Sequence, residues 1–178
     1  HRKANDEPYD MKAYLWTPMG TLQHPFEGML LGVGKDEASS VDLTPWSSIS
    51  GSDTTWDEVI IKNIIVNEPN LDYAGFFAVL DSARIINIEM QGALIRGAQY
   101  VGTMAAQSSN SRIRNVNIKS SEEDASFYPS LPPTTLLSTH YVSGGMIGIS
   151  TKDTVFKSNI AAKFVGDAVY SGGGVGHG

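Results

Sequence analysis

Between Val59 and Gly176 the chain repeats itself, and a repeat constrains a fold more tightly than any single residue in it. Four half-apolar segments recur, Ile61–Val66 (IKNIIV), Ile85–Met90 (IINIEM), Ile113–Ile118 (IRNVNI) and Val155–Ile160 (VFKSNI). Each is followed by a glycine-marked segment: Ala74–Val79, Val101–Ala106, Ser143–Gly148 and Ser171–Gly176. Counted from Gly75, the glycines recur after 27, 42 and 28 residues, at Gly102, Gly144 and Gly172. Counted from Asn63, the first segments recur after 24, 28 and 42 residues, at Asn87, Asn115 and Lys157. Both long steps span the same stretch. Removing about fourteen inserted residues (42 less 28) between Ser120 and Ser138 leaves a period near 28, which is in the solenoid range.

Strand neighbours point to opposite faces, so laying the first segments over one another predicts which way each position faces. Three columns are apolar and face a core: Ile61, Ile85, Ile113, Val155; Ile64, Ile88, Val116, Ser158; and Val66, Met90, Ile118, Ile160. Between them runs a polar column, Asn63, Asn87, Asn115 and Lys157, which breaks strict alternation. A corner explains the break, because stacked Asn amides at a bend can each donate to one neighbour and accept from the other. The column Ile65, Glu89, Asn117, Asn159 reads as the solvent face. In the second segments Gly75, Gly102, Gly144 and Gly172 share a column that needs either positive φ or close approach of another backbone. No helix-forming segment or P-loop lysine follows the glycines at the end of the chain, so they do not read as a phosphate cradle.

These segments resemble the GLUG-type repeats of large bacterial surface and secreted proteins, whose signature is Tyr-Val-Gly-Gly-Leu-Val-Gly after a line like Ile-Lys-Asn-Leu. Tyr100–Ala105 and Val142–Gly148 carry the pattern, and Tyr73–Phe77 is a looser copy. Upstream, Trp16–Gly20 and Pro25–Gly28 are similar to the opening that precedes such repeats. The usual Leu is replaced by Phe77, Met104, Met146 and Gly174, and the usual Asp-Gly-Asn-Gly-His run by Leu31–Gly34. The resemblance implies an all-β chain, a right-handed parallel β-helix or β-solenoid of about four to five coils with two inserted loops. It also implies a place in a longer exported protein of the adhesin, haemagglutinin-like or IgA-cleaving metallopeptidase kind, outside any catalytic part. An extracellular or cell-surface location in bacteria follows, with the rest of the same long chain as one partner and a glycan or protein on another surface as the other.

The expected organisation is a flexible N-terminal end over 1–12, a first coil or cap with a long insertion over 13–58, and repeated coils over 59–178 interrupted at 120–138. With 178 residues, 41% of them apolar, one domain has enough material to bury a core. The chain opens without a signal peptide and has no apolar run of membrane-spanning length, so it reads as a processed or excised segment with no membrane insertion. Cysteine is absent, which excludes disulfides and thiolate metal sites. A net charge of −6 without a block of Lys and Arg argues against a nucleic-acid partner. Trp16 reads as core or cap.

Candidate binding residues fall in the two stretches that escape the period. Trp46 stands beside Pro45 in the long segment from Gly34 to Trp56, and loops of that length are uncommon unless they work or move. The insertion Ser120–Ser138 carries Glu122, Glu123 and Asp124 beside Phe127 and Tyr128, stiffened by three prolines. Coil positions are dictated by stacking, so recognition is expected in these insertions.

For catalysis, two carboxylates in one column of adjacent coils would stand about 4.8 Å apart, close to a retaining glycosidase pair. Asp57 and Asp81 share such a column, six residues before Asn63 and Asn87, but turn capping explains them as well, and no Lys or Arg is seen to recur beside them. They are the basis of the alternative reading, a carbohydrate-active β-helix enzyme. No His-Glu-x-x-His or Gly-x-Ser-x-Gly is present, and the four histidines keep no metal-ligand spacing. No cofactor is implied, although calcium held by Asp carboxylates and backbone carbonyls in the insertions needs no short motif.

Overall fold

The computed structural model describes residues 9–10, 15–32, 59–119, 135–138, 142–165 and 169–177. Among these every regular element is a strand, and every strand pair is parallel, distributed over one seven-stranded and three four-stranded sheets. The first sheet is built on Arg84–Gln91 and Arg112–Lys119, the second on Ile65–Asn67, Leu94–Gly97, Thr135–Ser138 and Lys163–Val165. The third contains Tyr73–Ala74, Tyr100–Gly102, Val142–Gly144 and Tyr170–Gly172, and the fourth Phe77–Asp81, Ala105–Ser109, Ile147–Thr151 and Val175–His177. After leaving the first sheet the chain visits the second, third and fourth in turn, then returns to pair with its own previous pass.

Three of the expected columns hold where the period is 28 or 42. Ile113 pairs with Ile85 and Val155, Val116 with Ile88, and Ile118 with Met90 and Ile160. The isoleucines at 85, 88, 113 and 118 are at most 1% exposed, and they close on Val66, Ile95, Val101, Phe77, Leu80 and Ile147 from the other sheets. The core is therefore enclosed by all four sheets.

The first pass departs from the expected register. Ile61 pairs with Met90 rather than Ile85, Val59 with Ile88, and Val66 with Ile95, while Leu30 takes the place beside Ile85. Asn63 stands beside Gly92, its N–H donating to the Gln91 carbonyl, and not beside Asn87. The cause lies in the corners. Asn63 and Gly92 have φ of 57° and 64°, Asn87, Asn115 and Lys157 have 63°, 49° and 50°, and Ser82, Asn110 and Lys152 have 52°, 50° and 58°. Left-handed backbone favours Asn at any corner, so two different corners carry the same Ile-x-Asn signature.

At the second of these corners the amide ladder is present. Asn115 Nδ2 donates to Asn87 Oδ1 at 2.7 Å, and Asn87 Nδ2 donates to the Gly32 carbonyl at 2.9 Å. A side chain on Gly32 would lie 1.9 Å from the Asn87 carbonyl, so glycine is required there. The glycine column of the third sheet resolves toward close approach. Gly102 pairs with Gly144 and Gly144 with Gly172, none with positive φ, and a Cβ on Gly144 would lie 1.7 Å from the Ile147 carbonyl.

Other expectations shift at their margins. Tyr9–Asp10, within the segment read as a free end, pair with Ile61–Lys62, and Thr135–Ser138, within the segment read as an insertion, form a strand against Leu94–Gly97. Trp16 covers the first pass as expected, its ring stacked on Phe76 at 4.5 Å and its Nε1 donating to the Phe76 carbonyl. Of the column read as the solvent face, only Asn159 is exposed. Glu89 and Asn117 are 5% and 6% exposed, and neighbouring side chains and backbone engage them: Lys119 Nζ and Gln91 Nε2 reach Glu89, and Asn159 donates from its backbone and its side chain to Asn117 Oδ1.

Substitutions at two positions, Asn87 and Glu89, test this geometry. Asn87→Ala and Asn87→Gly both forfeit the buried bond to Asn115, a loss of about 1 kcal/mol or more, but Ala also carries its Cβ into left-handed backbone. The urea midpoint of Asn87→Ala should fall further, by about 1 kcal/mol in stability; equal midpoints would disprove the corner. Glu89→Lys should cost about 2 kcal/mol or more by setting two cations together at a buried position, and Lys119→Glu in the same chain should recover part of it. A neutral Glu89→Lys would restore the solvent-face reading.

Candidate functional site

The sequence-derived binding residues Trp46, Glu122, Glu123, Asp124, Phe127 and Tyr128 lie outside the described residues, as does Asp57. Asp81 is described, at the corner between the fourth and first sheets. Its Oδ1 accepts from Ser109 Oγ at 2.7 Å and from Asn110 Nδ2 at 3.1 Å, both on the next pass. Those bonds, Ser109 first, hold the Asp81 carboxyl below the usual carboxylate range. The same corner continues upward. Ser111 Oγ accepts from Ala83 N and donates to the Ser109 carbonyl, Ser111 N donates to Asp153 Oδ1 at 2.8 Å, and Ser150 Oγ donates to Asp153 Oδ2 at 2.6 Å. Asp81 and Asp153 thus act as acceptors that tie one pass to another.

Beside this corner the first sheet presents cations that sequence reasoning missed. Arg84 and Arg112 are register partners, three residues beyond Asp81 and Ser109, and Arg114 lies two residues on, toward the same face. The signal in the sequence is the 28-residue separation of the two arginines; no cation stands three residues after Asp57, so the carboxylate column does not reveal them. Arg114 pairs in turn with Phe156, which is 52% exposed, and Lys157 Nζ sits 5.6 Å from the centre of that ring.

A second surface feature is aromatic. Tyr73 and Tyr100, register partners in the third sheet, stack with centroids 5.0 Å apart and planes 19° from parallel. Burial, then Tyr100 and then Asp72, push the Tyr73 phenol above the usual tyrosine range. Gln99 Nε2 donates to Asp72 Oδ1 beside them. With each ring covering the other's face, the pair reinforces the ladder.

Among the described residues no three His, Cys, Asp or Glu side chains gather as a metal site, and no helix is long and apolar enough to cross a membrane. No family model, curated protein or solved structure matches the chain.

The depressed Asp81 carboxyl sets a pH dependence. A group whose folded pKa lies below its unfolded value adds stability above the unfolded pKa, and that stability is lost as pH falls through the folded value. Unfolding midpoints measured from about pH 5 downward should therefore decline less steeply in Asp81→Asn than in the parent chain, and parallel profiles would show that the corner bonds do not stabilise the charged form.

Proposed function

We propose that the chain is a noncatalytic β-solenoid module, a right-handed parallel β-helix, of a larger exported bacterial surface protein, serving in recognition and adhesion or as a rigid stalk. The observation that carries this reading is that the sheets return with a shared period: Ala105 pairs with Phe77 and Ile147, Ile113 with Ile85 and Val155, and Tyr100 with Tyr73 and Val142. Parallel passes stacked in this way add about 4.8 Å each to the length of a rod. The likeness to GLUG-type repeats supports the same reading, since the two segments that carry the signature, Tyr100–Ala105 and Val142–Gly148, are neighbours in register.

The mechanism is presentation. A rod whose inner positions are fixed by stacking offers its walls and insertions to a glycan or protein on another surface, while the remainder of the chain holds it there. Engagement of Asp81 by Ser109 and Asn110 supports a structural role for that carboxylate over a catalytic one.

Excision of one whole period tests the architecture. Deleting Ser82–Ser109 removes 28 residues and joins Asp81 to Asn110, which stands where Ser82 stands one pass earlier. A stacked rod should keep its β circular dichroism and cooperative melting after this cut, whereas removing about half a period (residues 82–95) should abolish both. Collapse after the whole-period deletion would overturn the solenoid. For the function, an array of glycans and host surface proteins should retain the intact chain if it recognises, and a turnover of polysaccharide lost in Asp81→Asn would replace the module with an enzyme.

A further inference from the structure

We propose that copies of this chain associate head to tail, the last pass of one copy covered by the leading segment 15–32 of the next; this goes beyond the recognition reading and rests only on the stacked architecture. Of the seven large apolar side chains that stand exposed among the described residues, all but Leu71 lie at an end of the stack: Leu15 and Leu22 in the leading segment, and Val155, Phe156, Val169 and Tyr170 in the last pass. A solenoid whose ends face solvent carries polar caps there.

At the upper end each sheet stops on a strand of the last pass: Thr154–Phe156 and Asn159–Ile160 in the first, Lys163–Val165 in the second, Tyr170–Gly172 in the third and Val175–His177 in the fourth. Among the described residues no strand lies beyond them, and such an edge is a template for another chain. The core thins there as well. Val155 stands over the fully buried Ile113 yet is itself 42% exposed, and Gly174 occupies the column that Met104 and Met146 fill below. At the lower end Leu15 pairs beneath Ile65, Met19 beneath Phe77 and Phe26 beneath Leu80, each through an isolated bridge. Leu15 is 66% exposed and Leu22 53%. Pro18 and Pro25 supply no N–H, so this end meets its partner through side chains more than through another complete ladder.

A second copy is the occupant that answers both ends at once. Joined head to tail, it covers the two apolar surfaces through one repeated contact, whereas an unrelated strand added to the upper edge leaves Leu15 and Leu22 in water. The ends also complement each other in charge. Glu27 is the only Asp, Glu, Lys or Arg of segment 15–32, and it stands exposed at the corner below Asp81, since Phe26 pairs with Leu80. Asp81, Ser109 and Thr151 are register partners up that corner, and Lys152, exposed, follows Thr151 at its top. Translation along the axis therefore brings Glu27 of one copy toward Lys152 of the copy below it. Asp153, the acid next to Lys152, is held by Ser111 and Ser150. Joining two upper ends instead would set Lys152 and Lys157 of both copies against one another and leave both lower ends uncovered.

Sedimentation velocity and light scattering of the full chain over a wide range of concentration test this. The intact chain should form a series of oligomers that lengthens with concentration, because a head-to-tail contact does not close on itself. Val155→Asp, which blocks the upper end, and Leu15→Lys with Leu22→Lys, which blocks the lower, should each weaken association about tenfold or more and leave monomers. Mixed, the two should form one-to-one dimers through their intact ends. Lys152→Glu should weaken association severalfold, and Glu27→Lys in the same chain should restore it. Circular dichroism and thermal unfolding are recorded for each variant, and where Val155→Asp fails to fold the exposed pair Glu27 and Lys152 decides. A chain that stays monomeric at every concentration, dimers that persist in the lower-end variant alone, or a Lys152→Glu loss that Glu27→Lys does not recover would overturn the proposal. Failure of the whole-period deletion to fold would remove the stacked frame itself and not this contact alone.

Discussion

Parallel pairing obliges two passes of the chain to advance in step, so every pass must turn where its neighbour turns. A residue that is free to bend early in an isolated chain cannot do so here without unpairing the strand above it. The left-handed columns are the expression of that constraint: Ser82, Asn110 and Lys152 turn together, as do Asn87, Asn115 and Lys157. Left-handed backbone costs roughly 1–2 kcal/mol for most L-residues, and at 87 and 115 the Asn amide bond between passes offsets it. The corner beside Asp81 uses another device for the same end, hydroxyls and a carboxylate that reach across from one pass to the next.

This demand for common corners also explains why polar side chains are so heavily engaged. Asn117 with Asn159 and Glu89 with Lys119 join residues 42 and 30 positions apart in sequence, each pair across one rung boundary. Most buried polar atoms find partners, and in a stack the nearest available partner is the next pass; the Thr103 and Ser108 hydroxyls are buried without one. Cohesion along the axis therefore draws on side-chain bonds as well as on the backbone ladder and the aliphatic core.

Much of the fold was legible because side-chain columns leave a direct trace in sequence. Ile85 and Ile113, Met90 and Ile118, and Gly102 and Gly144 were found by counting, and the break in alternation at Asn87 pointed to a bend. The first pass was misread because Asn63 and Asn87 satisfy the same backbone requirement at different corners, and Leu30, the true neighbour of Ile85, lies far upstream across a long non-repeating segment. Glu89 was placed in solvent because periodicity reports which side of a strand a residue takes, and not what lies over that side. For the candidate site the pattern of legibility reversed. The expected binding residues lie in stretches that escape the period, while the arginines at 84 and 112 obey it and were not singled out.

The column that runs from Leu30 through two fully buried isoleucines, Ile85 and Ile113, reaches Val155 at 42% exposure, and where Met104 and Met146 are buried the following pass has Gly174. Local opening is governed by the apolar contacts it must break, so the stack has a graded resistance to opening along its axis. Amides of Arg84–Ser109, covered by a pass on either side, exchange with solvent only through large openings, and those of Thr154–Phe156 through small ones. Resistance to opening is thus a property of position along the stack, highest where a pass is paired on both sides.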